Sequence, residues 1–588
     1  MKLKAKWMGL ALAGAALPGC GAILGLDQFS EGAGGGSTAT GTSTSGATSS
    51  SGASSSTVTG GGACTGVETQ SCYDFDMGTL NMGACKAGTK TCKDGMFGAC
   101  EGQVGPSPED CSKLGDENCD GVACSDAIWS KEFGNLLLGN KKAAAIEDLV
   151  VVPSGNILVA GVFTNDINFG TTAATQLTTS VNDVSIFLAE LAPDGSHVWS
   201  KSFEVQGDGT QLVKVAVSSS GRIYLSSFYK VAITFDTTVL TATGADKRDF
   251  FVASFDKGGA LFWAKTFGLD SEAVANDLAV GPDEDAVIVG QYGNGSLVLD
   301  NTYPSPVGYN AFVAKLNHTD GAVLWSRSYG DDANGSVGDQ AATAVAVDHT
   351  GKVLVAGTMN ALIDFGGGSN DYTASGALDV FVTQLSTNGD PLWHTYFRGP
   401  ENKSADAVAV DSLGSVYVTG SFAGTTQFAA LDLTTSKSTA GAMDTDFYLM
   451  KMTPQGNHAW LKQFGDTTPQ ANTQQSGLGF PLALAADATD NVLWAGGFRG
   501  AMSVGTTVLT SAGDSDWFIG KLSTDGDALW GKRFGDSGTI QTATCVGSDP
   551  KTNAIVLGGA NDGTLIIDAT PALKAKGSAD AVLARLNP

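Results

Sequence analysis

From residue 127 to the end of the chain, apolar and polar positions alternate in short runs separated by glycine-containing turns. Ala344-Val345-Ala346-Val347-Asp348 and Ala407-Val408-Ala409-Val410-Asp411 are typical first runs. A turn such as His349-Thr350-Gly351 leads to a second run, as in Val353-Leu354-Val355-Ala356-Gly357 or Val416-Tyr417-Val418-Thr419-Gly420. A variable excursion follows, carrying an apolar anchor: Ile167-x-Phe169, Ile233-x-Phe235, Ile363-x-Phe365 and Ile566-Ile567. The third run resembles Asp249-Phe250-Phe251-Val252-Ala253 or Asp516–Leu522. A hairpin (Asp194-Gly195, Gly258-Gly259, Asp320-Gly321, Asp525-Gly526) then enters a fourth run containing Trp. Period-two alternation bounded by such turns predicts β-strands, four to a unit.

The Trp run recurs seven times, at Trp129, Trp199, Trp263, Trp325, Trp393, Trp460 and Trp530, with intervals of 70, 64, 62, 68, 67 and 70 residues. A period of this length with strand patterning predicts a propeller-type array. The count also predicts how the array ends. The run at Trp129 precedes the first triplet, and the triplet beginning near Ala543 has no Trp run after it. The expected fold is therefore all-β, a seven-bladed β-propeller over residues 127–588 closed by the N-terminal Trp strand, which removes two raw sheet edges. The seven Trp residues are expected to pack as repeat core. The Asp-x-Phe, Gly-x-Val-x-Val-x-Gly and Trp-x-Lys-x-Phe-Gly runs together resemble the bacterial seven-bladed propeller repeats called SBBP, found in surface and exported proteins. That resemblance implies a fold and an exposed location and carries no single activity.

Eight of ten cysteines fall between residues 64 and 126: Cys64, Cys72, Cys85, Cys92, Cys100, Cys111, Cys119 and Cys124. An even number in a short segment poor in large apolar residues predicts a disulfide-rich module whose staples supply stability that a small core lacks. Pairing among eight cysteines is left open by the spacing. Zinc is the disfavoured alternative, because the module has neither a Cys-x-x-Cys pair nor a His. Within it, Asp116, Asn118 and Asp120 alternate before Gly121, as in the first half of a calcium loop. The twelfth position is Ala127 rather than Glu, and Asp126 stands beside it. Calcium or copper is the metal such a module would take. The segments Cys85–Cys92, Gly98–Val104 and Pro108–Gly121 resemble the Cys-rich, Asp-Cys-Asp-Gly modules of bacterial surface proteins that are named for metal binding.

Ahead of the module, residues 30–62 contain 10 Ser, 7 Thr and 10 Gly. This composition predicts a disordered tether with a mean reach of about 30 Å. The first residues combine Lys2, Lys4 and Lys6, an apolar stretch from Trp7 to Ala16, and Leu17-Pro18-Gly19-Cys20. They resemble a bacterial lipoprotein signal (1–19) with Cys20 as the acylated residue, followed by the anchor and tether (20–63). With Gly21 after the cysteine, the resemblance implies the outer membrane, periplasmic or surface facing.

Composition narrows the partners. The 588 residues carry 34 Lys+Arg against 60 Asp+Glu, a formal net charge of -26. Such a chain repels nucleic acid. Glycine, at 78 residues, is accounted for by the tether and the turns of the repeats. Of the five histidines, His197, His318 and His458 fall in the turns before Trp runs, His349 in another turn and His394 just after Trp393; they are expected in different repeats and at exposed turn positions. Gly535-Asp536-Ser537-Gly538 resembles a serine-protease nucleophile motif, yet sits where other repeats read Gly-Asp, as at Gly330-Asp331 and Gly465-Asp466. Cys545 is expected as a buried, inert thiol. No catalytic residue is expected. The expectation is a monomeric, lipid-anchored binding or interaction scaffold for a protein or polysaccharide ligand. A propeller hydrolase or lyase acting on polysaccharide at the channel mouth, and metal capture by the Cys-rich module, are the alternatives.

Overall fold

The computed structural model describes residues 64, 68–75, 77–81, 85–106, 127–134, 143–179, 184–207, 212–244, 246–330, 338–366, 372–374, 378–428, 431–435, 445–465, 482–537, 541–567, 572–575 and 579–588. The expected signal, Cys20, the tether, Cys111, Cys119, Cys124, Asp116, Asn118, Asp120 and Asp126 lie outside them. Two compact units divide between Asp126 and Ala127.

In the smaller unit, Thr69–Cys72, Gly88–Lys93 and Met96–Phe97 form a three-stranded antiparallel sheet. Disulfides Cys64–Cys92 and Cys72–Cys100 staple it, each closing 28 residues. Cys85 is disulfide-bonded as well. Thiolate ligation of zinc by these five residues is thereby removed.

The larger unit is all-β and propeller-like. Among the described residues, seven antiparallel sheets share a four-strand core in simple up-and-down order. Their first strands are Ala144–Val151, Lys214–Val217, Glu272–Val280, Gln340–Val347, Ala407–Val410, Leu482–Ala486 and Gln541–Ser548. Each first strand touches the first strand of the next sheet, and the seventh touches the first. The fourth strand of the seventh sheet is Ala127–Phe133, which pairs with Asp580–Leu586 in a register that sets Trp129 opposite Arg585 and Phe133 opposite Ala581. The second and third strands are the most buried: Ile157–Thr164, Val353–Met359 and Asp379–Leu385 are buried at every position. They are covered on both faces, which explains their near-continuous apolar runs.

Two features depart from the sequence reading. The variable excursion is itself a hairpin. Three of these hairpins, Ala232–Thr241, Leu297–Tyr303 and Thr425–Thr434, add two strands to the preceding sheet. The anchor in the last repeat is Leu565-x-Ile567, both buried, whereas Ile566 is exposed. Strand periodicity puts alternate residues on one face, so the adjacent pair Ile566-Ile567 cannot both point inward.

Candidate functional site

The polar side chains that the fold brings together lie on the seven first strands. Four of these strands carry a β-bulge at the same place, at Glu147, Asn276, Thr343 and Thr544. A bulge inserts one unpaired residue and re-aims its side chain. Here each bulged side chain crosses to the neighbouring sheet. Glu147 Oε2 accepts from Val213 N at 2.6 Å. Asn276 Nδ2 donates to Ala342 O at 2.9 Å, and Thr343 Oγ1 to Ala405 O at 2.6 Å. Thr544 Oγ1 donates to Ile146 O at 2.6 Å, linking the seventh sheet to the first.

The residues after the bulges extend this ring. Asp148 Oδ2 accepts from Val215 N at 2.9 Å, and Asp277 Oδ2 from Val345 N at 2.8 Å. Lys214, from the second sheet, lies 3.7 Å from Asp277 Oδ1. Burial pushes Glu147 up to about 8 and Asp148 up to about 6, and it raises Asp277; nearby Lys214 offsets part of each shift. Burial also raises Asp406, just ahead of the fifth sheet's first strand and without a backbone N–H on its carboxyl, to about 8. A carboxylate whose oxygens accept backbone N–H groups is fixed in place and spends its acceptor capacity on the framework. Among the described residues, no group of three or more His, Cys, Asp or Glu could hold a metal ion.

The Trp residues form a second set of seams. Trp263 and Trp325 are buried and the other five are half-buried. Every one follows a bulged residue, at Ile128, Val198, Phe262, Leu324, Leu392, Ala459 and Leu529. The bulge turns the indole toward the third-to-fourth hairpin of the following sheet. Trp129, Trp263, Trp325, Trp393 and Trp460 donate Nε1 to Pro193, His318, Thr387, Pro454 and Thr524 carbonyls at 2.9–3.1 Å. Trp199 instead donates to Glu190, with its ring against Gly259. The sheet after Trp530 takes its third and fourth strands from opposite ends of residues 127–588, so no hairpin joins them. There the indole packs on the apolar cluster containing Ala127 and Leu586. The Trp residues are thus packing elements between sheets rather than the centre of their own.

Only His349 is exposed; the other four histidines are half-buried. His318 Nδ1 lies 2.9 Å from Asp285, and His394 stacks on Phe365. Four of the five are thus less exposed than expected, and His349 and His394 belong to one repeat, the fourth sheet, rather than to different ones. Gly535 is the point where a side chain would strike the Asp516 carboxyl, which is a packing role for the Gly-Asp motif. Cys545 is buried and follows an inner bulge. The bulged polar residues escaped the sequence reading. Their signal was one polar residue interrupting a small apolar run, as in Ala342-Thr343-Ala344.

No family model matches the chain. An uncharacterized WD repeat-containing protein of Acanthamoeba polyphaga mimivirus is 22% identical over 526 residues, covering 74% of this chain and 36% of the relative. The regulatory protein FlaEY of Caulobacter vibrioides is 22% identical over 360 residues, covering 56% of this chain and 34% of the relative. The chain spans about a third of the length of these curated relatives. Among solved structures, the WD40 repeats of RRP9 align at 11% identity with a TM-score of 0.40, covering 78% of this chain and 97% of that one.

Proposed function

We propose that the chain is a lipid-anchored, exported, non-catalytic scaffold. It displays a closed seven-bladed propeller for binding or interaction. The observation that carries this reading is the fate of the axial polar groups. Glu147, Asp148, Asn276, Asp277, Thr343 and Thr544, on the ring of first strands, are bonded to the backbone of the adjacent sheet. Variation is left to the outer loops and hairpins, where recognition residues concentrate on a rigid frame. The pairing of Ala127–Phe133 with Asp580–Leu586 supports closure. The disulfides support an oxidising compartment. The lipoprotein-like start, with Cys20, supports the anchor.

The test is expression of the full chain in a Gram-negative host with radiolabelled palmitate, followed by membrane fractionation. The wild type is expected to be labelled and to sediment with the outer membrane, and Cys20→Ser to be unlabelled and soluble. An unlabelled wild type, or a Cys20→Ser variant that partitions unchanged, overturns the anchoring.

A further inference from the structure

Five of the seven sheets share a packing rule at the outer end of the third strand. A buried Asp or Asn stands first or second in that strand (Asp249, Asn310, Asp446, Asp516, Asp580), and a glycine at or just past the end of the fourth strand lies against its side chain (Gly268, Gly330, Gly465, Gly535, Gly134). Any Cβ on those glycines would strike the carboxyl or amide, so the two positions fill one another. The fourth sheet keeps the acid, Asp379, and neutralises it with Lys403 at 3.1 Å.

The first sheet departs from this rule at both positions. Ser185 takes that place in the third strand and Glu204 stands opposite it in register on the fourth. The carboxylate has moved from a buried strand to an exposed one. A polar cavity of about 530 Å³ lies at this point, lined by Thr178, Thr179, Ser185, Ser202, Glu204, Thr234 and Asp236. Ser185, 1% exposed, shares a hydrogen bond of 2.7 Å with Thr179. Asp236 belongs to the hairpin of the second repeat and holds φ +51°, where the matching hairpin turn of the sixth repeat has Gly505 at +65°. Lys201 Nζ lies 3.3 Å from the Asp236 carboxylate.

We infer that this cavity is a binding site for an uncharged saccharide. The hydroxyls of Thr178, Ser202 and Thr234, which both donate and accept, with the carboxylates of Glu204 and Asp236, which only accept, match the vicinal hydroxyls of a sugar, which do both; Thr179 and Ser185, bonded to one another, form the wall behind them. The volume falls within the ~300–1,000 Å³ of small-molecule sites. Two carboxylates on a chain of net charge -26 repel sulfated or uronic-acid chains. The equivalent of Ser202 in the fourth repeat is Tyr396, which stacks on Tyr372 with ring centroids 4.3 Å apart. A small residue at this position leaves open a groove that an aromatic ring occupies there.

The inference adds a ligand class to the scaffold reading and rests on it; its failure leaves the palmitate experiment untouched. The test is calorimetric titration of the full chain at neutral pH with uncharged tri- and tetrasaccharides of the α-1,4-glucan, β-1,4-glucan and β-1,4-N-acetylglucosamine series. At least one is expected to bind, with Glu204→Gln or Asp236→Asn weakening it about tenfold or more, or about 1.4 kcal/mol. Ser202→Tyr, which installs the side chain of the fourth repeat at an exposed position, is expected to abolish binding while the circular dichroism spectrum is retained. Absence of binding by every series, or binding that survives Ser202→Tyr unchanged, overturns the site.

Discussion

Trp393 and Gly456 meet across a seam between consecutive sheets. The indole donates to the Pro454 carbonyl at 3.1 Å, and its ring lies where a Cβ on Gly456 would come within 2.5 Å. Gly456 also holds φ +80°. Gly195, Gly321, Gly389 and Gly526 repeat the arrangement with Trp129, Trp263, Trp325 and Trp460, and Gly259 repeats the ring contact alone with Trp199. One relationship therefore explains why both Trp and the turn glycine recur.

Gly456→Ala is expected to cost about 2–3 kcal/mol, because it combines the left-handed penalty with a collision against a ring. Gly366→Ala, at φ +86° with open space around it, is expected to cost about 1 kcal/mol from the backbone alone. Urea unfolding of both variants measures the difference.

The ion pair of Lys403 and Asp379 is the most buried among the described residues, at 1% and 0% side-chain exposure. Lys403 Nζ also donates to the Gly399 carbonyl at 2.9 Å, and Tyr372 donates to Asp379 at 2.9 Å. Removing the cation alone strands a buried carboxylate. Lys403→Met is expected to cost about 3–5 kcal/mol. The double variant Lys403→Met/Asp379→Asn is expected to recover more than half of that loss in the same unfolding assay.

The axial carboxylates give stability a pH dependence with a definite sign. Glu147 is raised from 4.5 to about 8 by burial. Between those values the unfolded chain is ionised while the folded one keeps its proton. The folded state binds more protons, so the contribution is full below pH 4.5 and is lost as pH rises to about 8. Glu147→Gln, which keeps an acceptor for Val213 N, is expected to flatten the fall in stability between pH 5 and pH 8. A slope unchanged by the substitution contradicts the assignment.

Much of the fold was legible from residues that repeat. Trp129 without a preceding triplet, and the triplet near Ala543 without a Trp, pointed to the pairing that places Trp129 opposite Arg585. The excursion hairpins were harder to read, because strands as short as Leu362–Ile363 and Tyr372–Thr373 carry too few residues for alternation. The interior polar ring was hidden for another reason. A bulge breaks the period of two, so alternation does not place Glu147 and Asp148 on an inner face, while each is held by a neighbouring sheet. The cavity beside Glu204 is visible only against the rule it breaks, and that rule is a contact between strands.

Closure of the propeller rests on the joining of the two ends of residues 127–588. Ser130 and Ala584 stand opposite one another in that pairing. Opposed residues of an antiparallel pair have Cα atoms about 4.5–5.5 Å apart, within reach of a disulfide. The measurement is mass-spectrometric peptide mapping of oxidised Ser130→Cys/Ala584→Cys in the full chain. The predicted result is an intramolecular link between the peptides carrying residues 130 and 584, accompanied by a higher melting temperature. Unlinked thiols after oxidation, or links only between separate molecules, would contradict closure.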